Sequence, residues 1–268
     1  MDKKTSRRFA LRAGVLGLLL FLILFGRFLA PHDPTVTSLS LMLRPPSLEY
    51  PFGTDHLGRC VLSRVLYGAP VSVFSALLVV ASAACLGTIS GGTAGYFGKA
   101  WDRVISQLVV TFQAFPSFLL AVAIVGVLGN GLRNGILAMV LVLWTSYARL
   151  SRGLAAGVRS ENYLYAARLC GATAPALFAK YIFPNTMSVI AVKAAQDVGN
   201  TILSLSALSF LGLGAGVSAP EWGSMMSDAR QCLRQAPWCL LFPGLALFIT
   251  VVCFNHFGDA LRKKMEAR

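Results

Sequence analysis

Long apolar runs, each close to the length needed to cross a bilayer, recur along most of this chain. A backbone in hydrocarbon must pair every N–H and C=O internally, so such runs fold as helices. Charged residues make up only 13% of the 268 residues, whereas about 25% is usual in soluble domains. The sequence therefore predicts an all-α integral membrane protein.

Six stretches have the length and composition of membrane-spanning helices. The predicted spans are residues 9–29, 71–96, 104–128, 134–151, 186–211 and 238–257. The basic residues before the first span imitate a secretory signal peptide. However, no small-residue cleavage site precedes Pro31, so we expect an uncleaved first helix.

The distribution of Lys and Arg predicts the orientation. Most of the 24 basic residues fall on the side of the N-terminus, in the segments around 99–103, 149–180 and 262–268. Cytoplasmic loops carry such an excess, so both termini should face the cytoplasm. The net charge of +13 does not indicate nucleic-acid binding, because the basic residues flank apolar runs instead of alternating with aromatics.

The spans divide the chain into three predicted parts. Residues 1–30 hold the N-terminal segment and first span, 31–69 an extracytoplasmic loop, and 70–268 a core of five spans. Apolar residues at helical spacing in the loop predict a short helix on the outer membrane surface, capped by Thr54 or Asp55. These residues are Leu57, Val61, Leu62, Val65 and Leu66.

A polar, basic segment at 149–185 interrupts the core. Residues 163–170 read as a helix that carries two small residues, Ala166 and Ala167, on one face. Gly171 suits the end of this helix, where a left-handed backbone is common. Residues 172–181 predict a second short helix, which Pro184 can stop before the fifth span. The pattern alone leaves an ordinary amphipathic connector open.

Four segments, in order along residues 9–268, resemble one transporter family. Residues 161–171, E-N-Y-L-Y-A-A-R-L-C-G, resemble the E-A-A-x-x-x-G loop of ABC importer permeases. Residues 52–59, F-G-T-D-H-L-G-R, with Ser63-Arg64, resemble the C-type permeases of oligopeptide, dipeptide and nickel importers. The other two matches are L-S-F-L-G-L-G at 208–214 with P-E-W-G at 220–223, and P-G at 243–244 with G-D-A-L-R at 258–262.

The resemblance implies a type I ABC importer (MetI-like) permease fold with six transmembrane helices. It also implies a paralogous B-type permease, two ATP-binding subunits that bind ATP and magnesium, and an extracytoplasmic solute-binding protein as partners. This chain would then be no enzyme and need no cofactor. The residues implied in coupling to the ATPase are Tyr163, Tyr165, Ala166, Ala167, Gly171 and Pro184.

Four residues depart from the family pattern. Cys60 replaces an Asp, Tyr165 a Glu, Tyr181 a His, and Leu205 a Glu that peptide-type members often carry. The last departure, with V-L-G-N-G-L at 127–132, is closer to the nickel branch. We therefore expect a nickel or metal-chelate cargo, with dipeptides or oligopeptides as the alternative.

Two groups of residues are further candidates for function. Lys193 and Asp197 lie four apart on the fifth span, and charges in a span usually face the bundle interior or a water path. They are expected on the translocation path or at the partner permease, with a structural ion pair as the alternative. The outer segments 53–63 and 212–223 are expected to meet the binding protein or to gate the pathway. Candidate residues for this role are Asp55, His56, Arg59, Glu221 and Trp222.

The sequence gives little support for a nucleotide-binding site or a metal site in this chain. The chain lacks the G-x-x-x-x-G-K-[ST] phosphate loop, and its three His residues lack metal-ligand spacing. The six cysteines form no C-x-x-C motif, so we expect free thiols, with a Cys232–Cys239 disulfide outside the membrane as the alternative. A secondary transporter and a membrane enzyme remain as rival classes. The first would need no ATPase, and the second would need a reactive cluster that is not evident.

Overall fold

The computed structural model describes residues 3–214 and 220–266, and every named element within them is a helix. This confirms the all-α prediction. The α-helices are α1 Lys3–Phe25, α2 Val61–Phe97, α3 Lys99–Gln113, α4 Ser117–Leu128, α5 Leu132–Arg159, α6 Asn162–Leu169, α7 Ala174–Leu177, α8 Phe183–Phe210, α9 Trp222–Ala229 and α10 Trp238–Glu266. Short 3₁₀ segments lie at Gly26–Leu29, Leu39–Leu41 and Arg230–Cys232, and a π-helical turn at Phe178–Ile182.

Length and composition identify three of the described helices as able to cross a membrane, namely Phe9–Leu29, α2 and α10. The bent pair α3 and α4 is a fourth if counted as one span. Helices α5 and α8 are 28 residues each, but polar residues such as Asp197 interrupt them. Each of the six predicted spans nevertheless coincides with a helix or with the bent pair.

The predicted span at 104–128 is not a single straight helix, because α3 and α4 meet at an angle of 91°. Pro116 occupies the N-cap position of α4. Proline has no N–H to donate and disfavours helical backbone at the residue before it, here Phe115. The chain therefore turns sharply between the two helices.

The predicted short helix around 57–66, separate from the second span, is also wrong. Helix α2 runs without a break for 37 residues from Val61, even though Pro70 lies inside it. Neither Thr54 nor Asp55 caps it, because the N-cap residue is Cys60. Thr54 instead pairs with Cys60 in an isolated antiparallel bridge, which brings the chain directly into α2.

Helix α2 contacts α5 through a stripe of glycines spaced four residues apart. A Cβ atom added to Gly87, Gly91 or Gly95 would lie 2.4, 2.0 or 2.3 Å from the carbonyl oxygens of Trp144, Ala148 and Arg152, respectively. Residues at this spacing share one helix face, and small residues there let two backbones approach closely. The two helices are therefore held backbone to backbone along several turns.

We expect Gly91→Leu to disrupt this contact, since overpacking costs about 1–3 kcal/mol or more and backbone atoms cannot rotate aside. The measurement is thermal unfolding and monodispersity of the purified protein in detergent. Gly126→Leu is the matched control, because a Cβ at Gly126 meets nothing within 4 Å. Equal stability of the two variants would contradict the close α2–α5 packing.

Candidate functional site: the elbow and the cap

The first candidate region, the elbow, comprises residues 162–185. Helix α6 ends at Leu169, and Gly171 follows with a φ of +85°. The N–H of Gly171 donates to the Arg168 carbonyl (2.9 Å) and that of Ala172 to the Ala167 carbonyl (3.1 Å). These bonds satisfy carbonyls at the helix end and produce the tight turn. The predicted helix and its terminal glycine are confirmed.

A small hydrophobic core fixes the elbow to the rest of the bundle. Leu164, Leu177 and Ile182 are buried together with Tyr96 near the end of α2 and Ala155 near the end of α5. Side chains in such a core are close-packed, so displacing one moves its neighbours. A push on the elbow is therefore transmitted to both α2 and α5.

Pro184 does not stop a helix, contrary to the prediction. Helical backbone continues from α7 through the π turn Phe178–Ile182 into α8. A proline inside an α-helix clashes with the carbonyl four residues earlier, and a wider turn relieves this clash. The Asn185 side-chain amide donates to the Tyr181 carbonyl at 2.8 Å. The elbow is consequently continuous with α8.

The two alanines of the elbow were predicted to share one open face, but the structure separates them. Ala166 is exposed, whereas Ala167 packs against the small core. The exposed surface is instead apolar and aromatic, with Leu169 at 90%, Tyr165 at 53% and Tyr163 at 43% exposure. Tyr165 and Leu169 lie four residues apart on or at the end of α6 and so share one face, and exposed apolar residues on one face often mark a protein–protein contact.

Lys193 and Asp197 form an ion pair on α8, with 3.0 Å between Nζ and Oδ2. The Lys193 ammonium also lies 5.2 Å from the centroid of the Tyr147 ring, which is fully buried. Pairing lowers the cost of placing both charges inside a bundle. The structure thus shows the ion pair that was the alternative prediction. A place on the translocation path stays a prediction.

The second candidate region, the cap, comprises residues 50–64 and 220–239, at the end of α2 opposite the elbow. A buried group of charges lies at its centre. Asp55 Oδ2 is 2.7 Å from Arg59 Nε and 3.6 Å from Arg64 Nε, and Asp228 Oδ2 is 3.8 Å from an Arg59 terminal nitrogen. Opposite charges thus hold the loop before α2 against α9.

Glu221 and Trp222 connect α9 to α2. The Glu221 carboxylate caps α9 by accepting from the N–H groups of Gly223 and Ser224, both at 2.9 Å, and also accepts from Ser72 Oγ at 3.3 Å. The Trp222 indole donates to the Val65 carbonyl at 3.0 Å. A buried carboxylate needs such donors, because an unpaired buried charge is costly.

A tryptophan that the sequence did not single out completes the cap. The Trp238 indole donates to the Thr54 carbonyl at 3.1 Å. Gly53 lies beneath it with a φ of +71°, and a Cβ there would lie 2.6 Å from Trp238 Nε1. Any larger residue at 53 would therefore strain the backbone and displace the indole.

Four of the five residues predicted to contact a binding protein are buried. Asp55, Arg59, Glu221 and Trp222 are each at most 7% exposed, so in this chain they brace the cap. His56 is half-buried and lies near Asp228. Burial raises the pKa of Asp228, and the nearby charges of His56 and Arg64 partly oppose this shift. Of the predicted gate segment 212–223, residues 215–219 lie outside the described residues.

Asp55→Asn should destabilise the cap by about 3 kcal/mol, the usual effect of removing one partner from a buried ion pair. The amide keeps the shape of Asp55 but leaves Arg59 and Arg64 facing one carboxylate fewer. Thermal unfolding and limited proteolysis of the purified protein measure the effect. Glu49→Gln, an exposed position in the preceding loop, is the control. Unchanged protease resistance in Asp55→Asn would refute the bracing role.

Among residues 3–214 and 220–266, no group of three or more His, Cys, Asp or Glu side chains could hold a metal ion. The donor sets that metals need in proteins are three or more such ligands at fixed geometry. The buried carboxylates found here are already occupied by arginines and backbone N–H groups.

Comparison with known proteins gives a consistent result. Residues 83–268 match the family described as "Binding-protein-dependent transport system inner membrane component". The dipeptide transport system permease protein of Alkalihalophilus pseudofirmus is 38% identical over 93% of this chain and 82% of that protein. The glutathione transport system permease proteins of Escherichia coli and Shigella sonnei are 38% identical over 94% of this chain and 83% of theirs. These relatives do not support the expected nickel cargo.

Proposed function

This chain belongs to the family of inner membrane components of binding-protein-dependent transport systems, and we propose that it is the C-type subunit of a short-peptide importer. Family membership makes it a multi-pass inner-membrane permease subunit of an ABC importer. Such a subunit is no enzyme, because ATP is hydrolysed by partner ATPase chains. The family works with a partner permease, an ATPase and a binding protein. A heterodimer with a B-type permease and two ATPase subunits is our more specific proposal.

The main support for a role in coupling is that the elbow combines an exposed apolar tip with a base packed against the rest of the bundle. Its exposed tip, with Tyr163, Tyr165 and Leu169, has the apolar and aromatic character of a contact for another protein. Its base is packed against Tyr96 and Ala155. An ATPase that moves the tip would therefore move α2 and α5 together. In this proposal Gly171 sets the turn, and Ala166 lies open beside the tip.

Continuity between the elbow and α8 supports a rocking motion. Because helical backbone runs through Pro184 into α8, displacement of the elbow also tilts α8. Five helices would then rock between inward-open and outward-open states.

The proposed orientation places the elbow in the cytoplasm and the cap outside. It rests on the excess of Lys and Arg beside the elbow and at both termini. The ATPase would then meet the elbow, and the extracytoplasmic binding protein would meet the cap. The half-buried His56 is the most accessible of the five candidate contacts. The buried Asp55, Arg59, Glu221 and Trp222 would act by holding its shape.

Short peptides are the proposed cargo. The relatives at 38% identity are named for dipeptide and glutathione transport, and glutathione is itself a peptide. We therefore favour peptides over nickel. Uptake of labelled dipeptide, glutathione and a nickel chelate by the reconstituted complex tests the choice. Selective nickel uptake would overturn it, and uptake without ATPase subunits would favour a secondary transporter.

Gly171→Trp should leave membrane insertion intact but reduce ATP-driven dipeptide uptake to background. A tryptophan at a φ of +85° strains the turn that supports the tip, although nothing lies within 4 Å of its Cβ. The measurements are uptake in proteoliposomes, ATP hydrolysis and co-purification of the ATPase subunits.

Gly212→Trp is the matched control for the elbow. Gly212 has a φ of +84° and equally open surroundings, but it follows α8 at the end far from the elbow. We expect Gly212→Trp to keep normal ATPase co-purification and nucleotide-dependent coupling. Normal uptake by Gly171→Trp would refute the coupling role.

Asp197→Leu should lower the uptake rate about tenfold, equivalent to ~1.4 kcal/mol on the barrier, with assembly preserved. Removing the carboxylate leaves the Lys193 ammonium unpaired inside the bundle. The double variant Lys193→Leu and Asp197→Leu separates the two roles, because removing both charges relieves a purely structural defect. If the double variant regains normal uptake, or if only assembly suffers in Asp197→Leu, the pair is structural.

A further inference from the structure

The buried charges of the cap surround a small cavity of about 10 Å³. Its wall is built by the loop before α2, the first turn of α2, the helix α9 and the first turn of α10. The polar side chains that line it are Asp55, His56, Arg64, Asp228 and Cys239. Parts of the chain that are far apart in sequence therefore meet around one space.

Two polar atoms of the residues around this cavity have no hydrogen-bond partner in the part of the chain that the structure describes. They are Arg64 Nη1 and Asp228 Oδ2, and both atoms are buried. Arg64 is only 2% exposed, and the 3.8 Å between Asp228 Oδ2 and an Arg59 terminal nitrogen is too long for a hydrogen bond. Buried polar atoms are almost always hydrogen-bonded, because leaving one unpaired is costly. Both atoms therefore require a partner.

The other polar groups on the wall are already engaged. Asp55 Oδ1 accepts from the N–H groups of Leu57 and Arg59, both at 2.9 Å, and Asp55 Oδ2 accepts from Arg59 Nε at 2.7 Å. The Cys239 thiol is free and donates to the Thr54 carbonyl at 3.4 Å. Neither side chain is left to pair with the two unsatisfied atoms, so the partner has to lie within the cavity.

We propose that the cavity binds one water molecule, which accepts a hydrogen bond from Arg64 Nη1 and donates one to Asp228 Oδ2. A single water needs at least about 10–15 Å³, and buried waters make two to four hydrogen bonds to polar groups that are otherwise unsatisfied. The volume of the cavity therefore suits one water and nothing larger. The His56 ring lies on the same wall and is a further polar group within the site.

The charges around the cavity favour water over an ion. A cation would be repelled by the Arg64 guanidinium, and an anion such as chloride would be repelled by the Asp55 and Asp228 carboxylates. Water carries no net charge and can both accept and donate a hydrogen bond. One arginine donor and one carboxylate acceptor require that combination.

The bound water links the far end of α9 to α2. The start of α9 is already attached there, because the Trp222 indole donates to the Val65 carbonyl. Asp228 lies near the other end of α9, and Arg64 lies in the first turn of α2, so a water between them attaches that end as well. Arg64 and Asp228 are thus positioning residues for the cap. This inference goes beyond the proposed function, because it depends neither on the cargo nor on the orientation.

A high-resolution cryo-EM structure of the complete transporter complex tests the proposal directly. We expect one density peak about 2.7–3.2 Å from both Arg64 Nη1 and Asp228 Oδ2. The peak should be absent in Asp228→Leu, which removes the acceptor. A direct hydrogen bond between the two side chains, another protein group bonded to Arg64 Nη1, or no density between the two atoms would overturn the proposal.

Two matched valine variants of the complex give a second test. Val61 is 1% exposed and lines the cavity, whereas Val65, one turn later in α2, is 7% exposed and does not line it. Val61→Ile adds a methyl group that displaces the water without replacing its hydrogen bonds. The unfolding temperature of Val61→Ile should therefore fall about 2–4 °C below that of Val65→Ile. Filling a dry cavity is stabilising instead, so an equal or higher unfolding temperature for Val61→Ile would refute the bound water.

Discussion

The close contact between the backbones of α2 and α5 is the constraint on which the rest of the structure depends. It requires no side chain at Gly87, Gly91 and Gly95, because the carbonyls of α5 occupy that space. Apolar side chains gain little from meeting one another in lipid, so close backbone packing is what holds such helices together. The pair forms the rigid part against which α3, α8 and α10 pack.

Helix α2 also connects the two regions to which we assign function. With 37 residues, it is about 55 Å long at 1.5 Å per residue. The cap is attached near its start, through Val65 and Ser72. The elbow is attached at its other end, through Tyr96. In the proposed mechanism, an ATPase-driven displacement at the elbow would reach the cap through this one helix, because buried contacts hold both of its ends.

The sequence predictions failed where local propensity was overridden by packing. Pro184 has the usual features of a helix stop, yet a π turn and the Asn185 amide let the helix continue into α8. Asp55 is a residue type that commonly caps the N-terminus of a helix, yet its carboxylate instead pairs with Arg59 and Arg64. The glycine spacing at 87–95 was a readable signal for helix packing, whereas nothing local to Trp238 indicated its bond to Thr54.

Hydrophobic run length by itself determined the all-α membrane class, because lipid leaves the backbone no other way to pair its polar groups. The chain's own motifs determined the transporter family and the turn at Gly171, since a left-handed turn strongly favours glycine. Only the tertiary structure decided that four of the cap candidates are buried, that α2 starts at Val61, and that α3 and α4 meet at 91°. These outcomes depend on contacts between residues far apart in the chain, and no local pattern encodes the partner of a buried charge or the direction of a broken helix.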